Sequence, residues 1–235
     1  MHSFLITLGL FLSFSFSYSQ SLETFFSQTD DFLKQNVSNG KVDYQEIHNN
    51  PEKLDELLSL AKNISVTKGD ALKFQSFYIN AYNLAVIKGV VDNYPIKSPL
   101  DKSGFFDKTT YKIAGESITL NDIENKKLRA NFGDARFHFV LVCGAIGCPP
   151  LIAEAYIPSK LDAQLQTQAE LALNNPNFIK IKKKRVELSE IFKWYKEDFV
   201  KNGDEIEYIN QFRKEKIPSN TKISYYPYNW KLNEK

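Results

Sequence analysis

Cysteine is almost absent from this 235-residue chain. There are two, Cys143 and Cys148, alongside a single methionine and three histidines. Two cysteines permit one internal disulfide at most. With His138 they show no standard zinc spacing, and no fourth ligand stands near them, so no metal or other cofactor is expected. An excess of one charge is missing too. Thirty lysines and arginines face 28 aspartates and glutamates, a formal net of +2, so nothing global draws the chain to nucleic acid. The one basic run, Lys180 to Arg185, lacks an aromatic stacking platform and reads as a solvated hairpin end.

Long apolar runs are confined to the start. Phe4 to Phe16 is too short to span a bilayer and fits the apolar core of a signal peptide over residues 1–19. Small residues at Ser17 and Ser19 allow cleavage before Gln20. The expected mature chain is exported, periplasmic or secreted, into an oxidising compartment, and carries no membrane span. Internal repeats, low-complexity tracts and long linkers are missing as well, so residues 20–235 read as a single domain.

Aromatic and aliphatic residues are plentiful. Eighteen Phe, twelve Tyr and 43% hydrophobic content suffice for a full core. Ser21 to Val37 carries apolar residues at helical spacing, and Asn39-Gly40 marks a turn. Pro51 opens a second helix, and Lys68 to Asn93 is the longest helical stretch, apolar around most of its circumference. Asn80 and Asn83 stand out inside it. A buried amide costs about 1–3 kcal/mol unless hydrogen-bonded, so these two either tie down neighbouring loops or line a site. Gly115-Glu116 suggests a hairpin, followed by a helix that Thr119 and Asp122 begin. Glu124 and Arg129 in that helix are five apart, on neighbouring faces of a regular α-helix. Ser159 to Asn174 reads as an amphipathic helix, Asn177 to Leu188 as a second hairpin, Ser189 as the cap of a helix, and Asp204 to Phe212 as one more helix. Lys222 to Tyr226 is strand-like.

The stretch RFHFVLVCGAIGCPPL, 136–151, gathers both cysteines, His138 and Arg136, and reads as a strand running into a glycine turn. Together with FYINAYN at 77–83, LNDIENKKLR at 120–129, the cluster of Trp194, Tyr195, Asp198 and Phe199, and YNWKLN at 228–233, it resembles the domain of unknown function 547 family. The resemblance runs from about Lys41 onward. It implies a mixed α and β fold and carries no catalytic residues over. Asn125 departs from the histidine expected in the DIEH form of the family motif.

The residues of the stretch leave several chemistries open. Cys143 and Cys148 can close a disulfide across the Gly144–Gly147 turn. Alternatively Cys148 is a nucleophile, with His138 as its base and Glu124, Asn80 or Asn83 orienting the imidazole. On a straight strand His138 and Cys143 would be about 17 Å apart at roughly 3.3 Å per residue, which leaves Cys148 as the candidate nucleophile. Pro149-Pro150 can open a short helix through 153–156, whose N-terminus would favour the Cys148 thiolate. Arg136 would anchor Glu124 or bind an anionic substrate. The order of a buried helix and a histidine-bearing strand is similar to papain- and transglutaminase-like folds. The expected architecture is one α+β domain, a mainly helical shell around a small, mostly antiparallel sheet containing 136–142. Two functions follow: an exported thiol-dependent hydrolase or acyltransferase acting on an unknown substrate, or a non-catalytic binding or scaffold domain with a structural Cys143–Cys148 disulfide and an unknown ligand or protein partner.

Overall fold

The computed structural model describes residues 21–235. The signal peptide expected over residues 1–19 lies outside the described residues. Helix α1 covers 21–36 and buries Leu22, Phe25, Phe26, Phe32 and Leu33, the residues whose spacing marked it as helical. A two-residue hairpin joins β1 (Val37–Ser38) to β2 (Lys41–Val42). Its turn residues Asn39 and Gly40 both adopt positive φ, 51° and 77°, which asparagine and glycine tolerate best. Helix α2 (Tyr44–Asn49) is capped by Asp43, and α3 (Glu52–Asn63) follows Pro51.

Helix α4 (Ala71–Val91) is the hub of the first half. Asp70 caps it by accepting from Lys73 N, and 16 of its residues, from Phe74 to Val91, are buried. A helix apolar all round must be enclosed on all sides. Here α2, α3 and the helical segment at 123–129 pack around it. The second hairpin, β3 (Thr110–Ile113) with β4 (Glu116–Thr119), lies on α3. Thr119 Oγ1 then accepts from Asp122 N and starts α5 (Leu120–Asp122), which continues as a π-helical stretch, Ile123–Arg129, into α6 (Ala130–Phe132).

In the second half α7 (Leu161–Asn174) packs on the 135–139 segment, and α10 (Glu205–Phe212) packs on α7. A three-stranded sheet joins β5 (Ile179–Lys182), β6 (Arg185–Ser189) and β7 (Lys222–Tyr226). The β5–β6 hairpin is antiparallel, whereas β7 pairs with β6 in parallel. Ser189 caps α8 (Glu190–Trp194), which leads to α9 (Lys196–Phe199). The apolar interior divides into two clusters. One is built on α1–α4 and the β3–β4 hairpin, the other on α7, the β5–β7 sheet and α8–α10.

The α+β reading holds in its coarse form, but its centre does not. Residues 135–139 form a 3-10 helix and 140–147 an irregular turn, so 136–142 is not a strand. Among the described residues three small sheets replace the single one expected, and one of them is mixed. With the histidine on a 3-10 turn, the likeness to papain- and transglutaminase-like folds is not supported. No helix forms after Pro149-Pro150 either, so Cys148 does not sit at a helix N-terminus. Among the described residues no helix is long and apolar enough to cross a membrane.

Candidate functional site: an aromatic cavity over a histidine–carboxylate cluster

Residues 140–142 are held by a side chain where a strand would be held by a neighbouring strand. Asn83 on α4 donates to Val140 O and accepts from Val142 N, both at 2.9 Å. Asp134 caps the 3-10 turn by accepting from Arg136 N. The turn points His138 inward until its side chain is 2% exposed. Its Nε2 lies 2.8 Å from Asp198 Oδ2, on α9, and its ring stacks on Tyr195 at 4.1 Å between centroids. Asp198 Oδ2 also accepts from Arg129 Nε at 2.6 Å. The hydrogen bond from His138, then Arg129, holds the Asp198 carboxyl well below the usual carboxylate range. With Nε2–H committed to Asp198, the other ring nitrogen, Nδ1, faces Glu124 Oε1 at 3.8 Å, beyond hydrogen-bond reach.

Glu124 and Arg129 meet in this cluster because their helix is not α-helical. The stretch 123–129 is π-helical, and Ala130 N donates to Asn125 O, five residues back. That pattern brings residues five apart into register, so the placement on neighbouring faces, true of an α-helix, does not apply. Glu124 faces the Tyr195 hydroxyl, whose pKa burial and this carboxylate raise together. Arg129 packs its guanidinium 4.8 Å from the Tyr195 ring centroid and also donates to Asn125 Oδ1. Asn125 thus supports Arg129 at the outer end of the chain of contacts that ends at His138.

Above the cluster opens a cavity of about 290 Å³. His138, Glu124, Cys143 and Cys148 line it together with Tyr82, Phe106, Trp194, Tyr195, Tyr228 and Trp230. Tyr228 and Trp230 come from the far end of the chain. Residues 229–233 run along the 144–147 turn, where Gly147 N donates to Asn229 O at 2.8 Å and Ile146 N to Lys231 O at 2.7 Å. Gly147 is required there, since a Cβ would meet the Tyr228 ring at 2.8 Å. Tyr228 donates its hydroxyl to Cys148 Sγ at 2.9 Å and lies 3.1 Å from Cys143 Sγ. Trp194 stacks on Trp230 at 5.9 Å and remains 46% exposed, forming a rim. Burial raises the hydroxyl pKa values of Tyr82, Tyr195 and Tyr228 and keeps these rings neutral near neutral pH.

Cys143 and Cys148 are joined as a disulfide with a Cα separation of 6.3 Å. Neither is a thiol in this state, so the Cys148 nucleophile is not available. The elimination of Cys143 as a neighbour of His138 also fails, because it assumed a straight strand; all three residues line one cavity. Asn80 and Asn83 turn to backbone rather than to the cavity. Asn80 donates to Ser76 O and Tyr156 O and accepts from Tyr156 N, fixing the loop before α7. Arg136 does not reach Glu124. It pairs with Asp134 and Asp162, and these carboxylates raise its pKa further. Sequence reasoning missed Asp198 and Tyr228 as site residues, although both lie in strings that carried the family resemblance. Among the described residues no group of His, Cys, Asp and Glu could hold a metal ion.

Fold and site together define a helix-rich α+β protein with a buried histidine–carboxylate cluster beneath an aromatic cavity. Residues 72–171 match the family described as protein of unknown function, DUF547, so the resemblance drawn from the motifs holds over that stretch. The match takes in the strings at 77–83, 120–129 and 136–151, whereas the α8–α9 cluster and the 228–233 string lie beyond it. No curated protein and no solved structure matches the chain.

Proposed function

We propose that the protein is a small-molecule-binding domain, exported in its mature form, whose ligand occupies the aromatic cavity and whose Cys143–Cys148 disulfide is structural. The observation that carries this reading is the cavity itself, apolar walls around a few convergent polar groups, with both cysteines tied up in one of those walls. Its position supports it further. The lining comes from both apolar clusters, and Cys148 packs against both, so a ligand here would bridge the two halves. An oxidising compartment suits a disulfide, and the apolar segment at 4–16 supports export.

Alkylation of the native, unreduced mature protein followed by intact-mass measurement tests the structural role. No label is expected on Cys143 or Cys148, and quantitative labelling of either rejects it. One observation favours a second reading, a thiol-dependent hydrolase. Opening the disulfide would place a Cys148 thiol in the same cavity as His138, whose ring Asp198 orients. That reading expects hydrolysis of an activated ester to begin on reduction and to stop on alkylation. Turnover that is the same before and after reduction rejects it.

A further inference from the structure

The two carboxylates beside His138 are unequally partnered, and the one that lines the cavity is the one that selects a ligand. Asp198 is neutralised by Arg129, with Lys201 at 3.5 Å from its second oxygen. Glu124 has no such partner. Among the described residues no lysine or arginine lies within ion-pair distance of it, and its neighbours are the Tyr195 hydroxyl and His138 Nδ1. Its side chain is 12% exposed and lines the cavity. A carboxylate so far withdrawn from water favours a cation beside it. The walls have the same preference. Tyr82, Tyr228, Trp194 and Trp230 contribute neutral aromatic rings to them, and the electron-rich faces of such rings attract cations, as the Tyr195 ring already does with the Arg129 guanidinium.

We propose that the cavity binds an organic ammonium group of the quaternary or fully alkylated type, with its charge beside Glu124 and its methyl groups against the aromatic rings. The volume of about 290 Å³ accommodates a compact ammonium with a short substituent. An alkylated ammonium suits this site better than a primary amine or guanidinium. It carries no N–H groups that would need acceptors, and among the described residues Glu124 is the one carboxylate lining the cavity. This proposal rests on the cavity being a ligand site and adds the class of ligand.

The test compares choline with its uncharged isostere 3,3-dimethylbutan-1-ol on the oxidised mature protein, by calorimetry and by the fluorescence of Trp194 and Trp230. Choline should bind saturably and the isostere at least about tenfold more weakly. Glu124→Gln should weaken choline about tenfold and leave the isostere unchanged. Trp194→Leu, at an exposed rim position, should also weaken choline and keeps the test decisive if Glu124→Gln fails to fold. Equal binding of the two ligands, or choline binding indifferent to both substitutions, overturns the ammonium proposal while leaving the cavity as a ligand site. If choline does not bind but an apolar dye enters the cavity, the ammonium proposal alone falls. Failure of choline, isostere and dye removes the ligand-site reading as well.

Discussion

At the scale of single residues the decisive position is Asp198. It accepts from both His138 and Arg129 on one oxygen, and losing a charged acceptor from a mostly buried pair of hydrogen bonds costs about 1.5–3 kcal/mol. Because its carboxyl titrates lower in the folded than in the unfolded protein, its contribution is complete above about pH 5 and is lost as pH falls through the unfolded value near 4 and on toward the folded one. Asp198→Asn should therefore be less stable than the parent protein at pH 7, and the gap should narrow steadily between pH 5 and pH 2. Urea titrations across that range measure it. A gap independent of pH would mean that the carboxylate's charge is not what the His138 and Arg129 contacts depend on.

At the scale of elements, most of the fold was legible in the sequence because its signals are local. The caps at Thr119 and Ser189, the Asn39-Gly40 turn and the spacing of Leu22, Phe25 and Phe26 each act within a few residues. The glycine turn at 144–147 is present, whereas residues 136–142 read as a strand for a physical reason. A run such as Phe137, Phe139, Val140, Leu141 and Val142 is buried whether it is a strand or an irregular turn, and its composition does not distinguish the two. What decides is where its backbone finds partners, and here Asn83, nearly 60 residues away, supplies them. The π-helical register of Glu124 and Arg129 was equally out of reach, since the sequence carries no period for it. Asn83→Ala would leave Val140 O and Val142 N without their partner, and a buried group left so costs about 1–3 kcal/mol. The loss of stability should be accompanied by faster amide exchange at Val142 with no change at the β5–β6 hairpin. Uniform loss of protection across the protein would assign Asn83 to the core in general rather than to this turn.

At the scale of the whole molecule, the cavity lies where two apolar clusters meet, and three connections keep them together there. Asn83 reaches from α4 to the turn, the 228–233 tail lies along that turn, and the disulfide joins the turn's two ends. The disulfide closes a loop of only a few residues, so chain entropy limits its contribution to about 2 kcal/mol. A protein of ordinary stability, about 5–15 kcal/mol, survives that loss. The double variant Cys143→Ser with Cys148→Ser should therefore stay folded, with its helices intact by circular dichroism. Its effect should fall on the tail instead. Tyr228 rests its hydroxyl between the two sulfurs, and Gly147 N and Ile146 N donate to the tail from within the clamped loop. Releasing the loop should weaken all of these contacts together. Hydrogen exchange at residues 228–233 should rise by about tenfold or more, and ligand binding in the cavity should weaken, while α4 and α7 keep their protection. Unchanged exchange in the tail would mean that Gly144, Gly147 and Tyr228 hold the turn by packing alone, leaving the disulfide without a part in shaping the cavity.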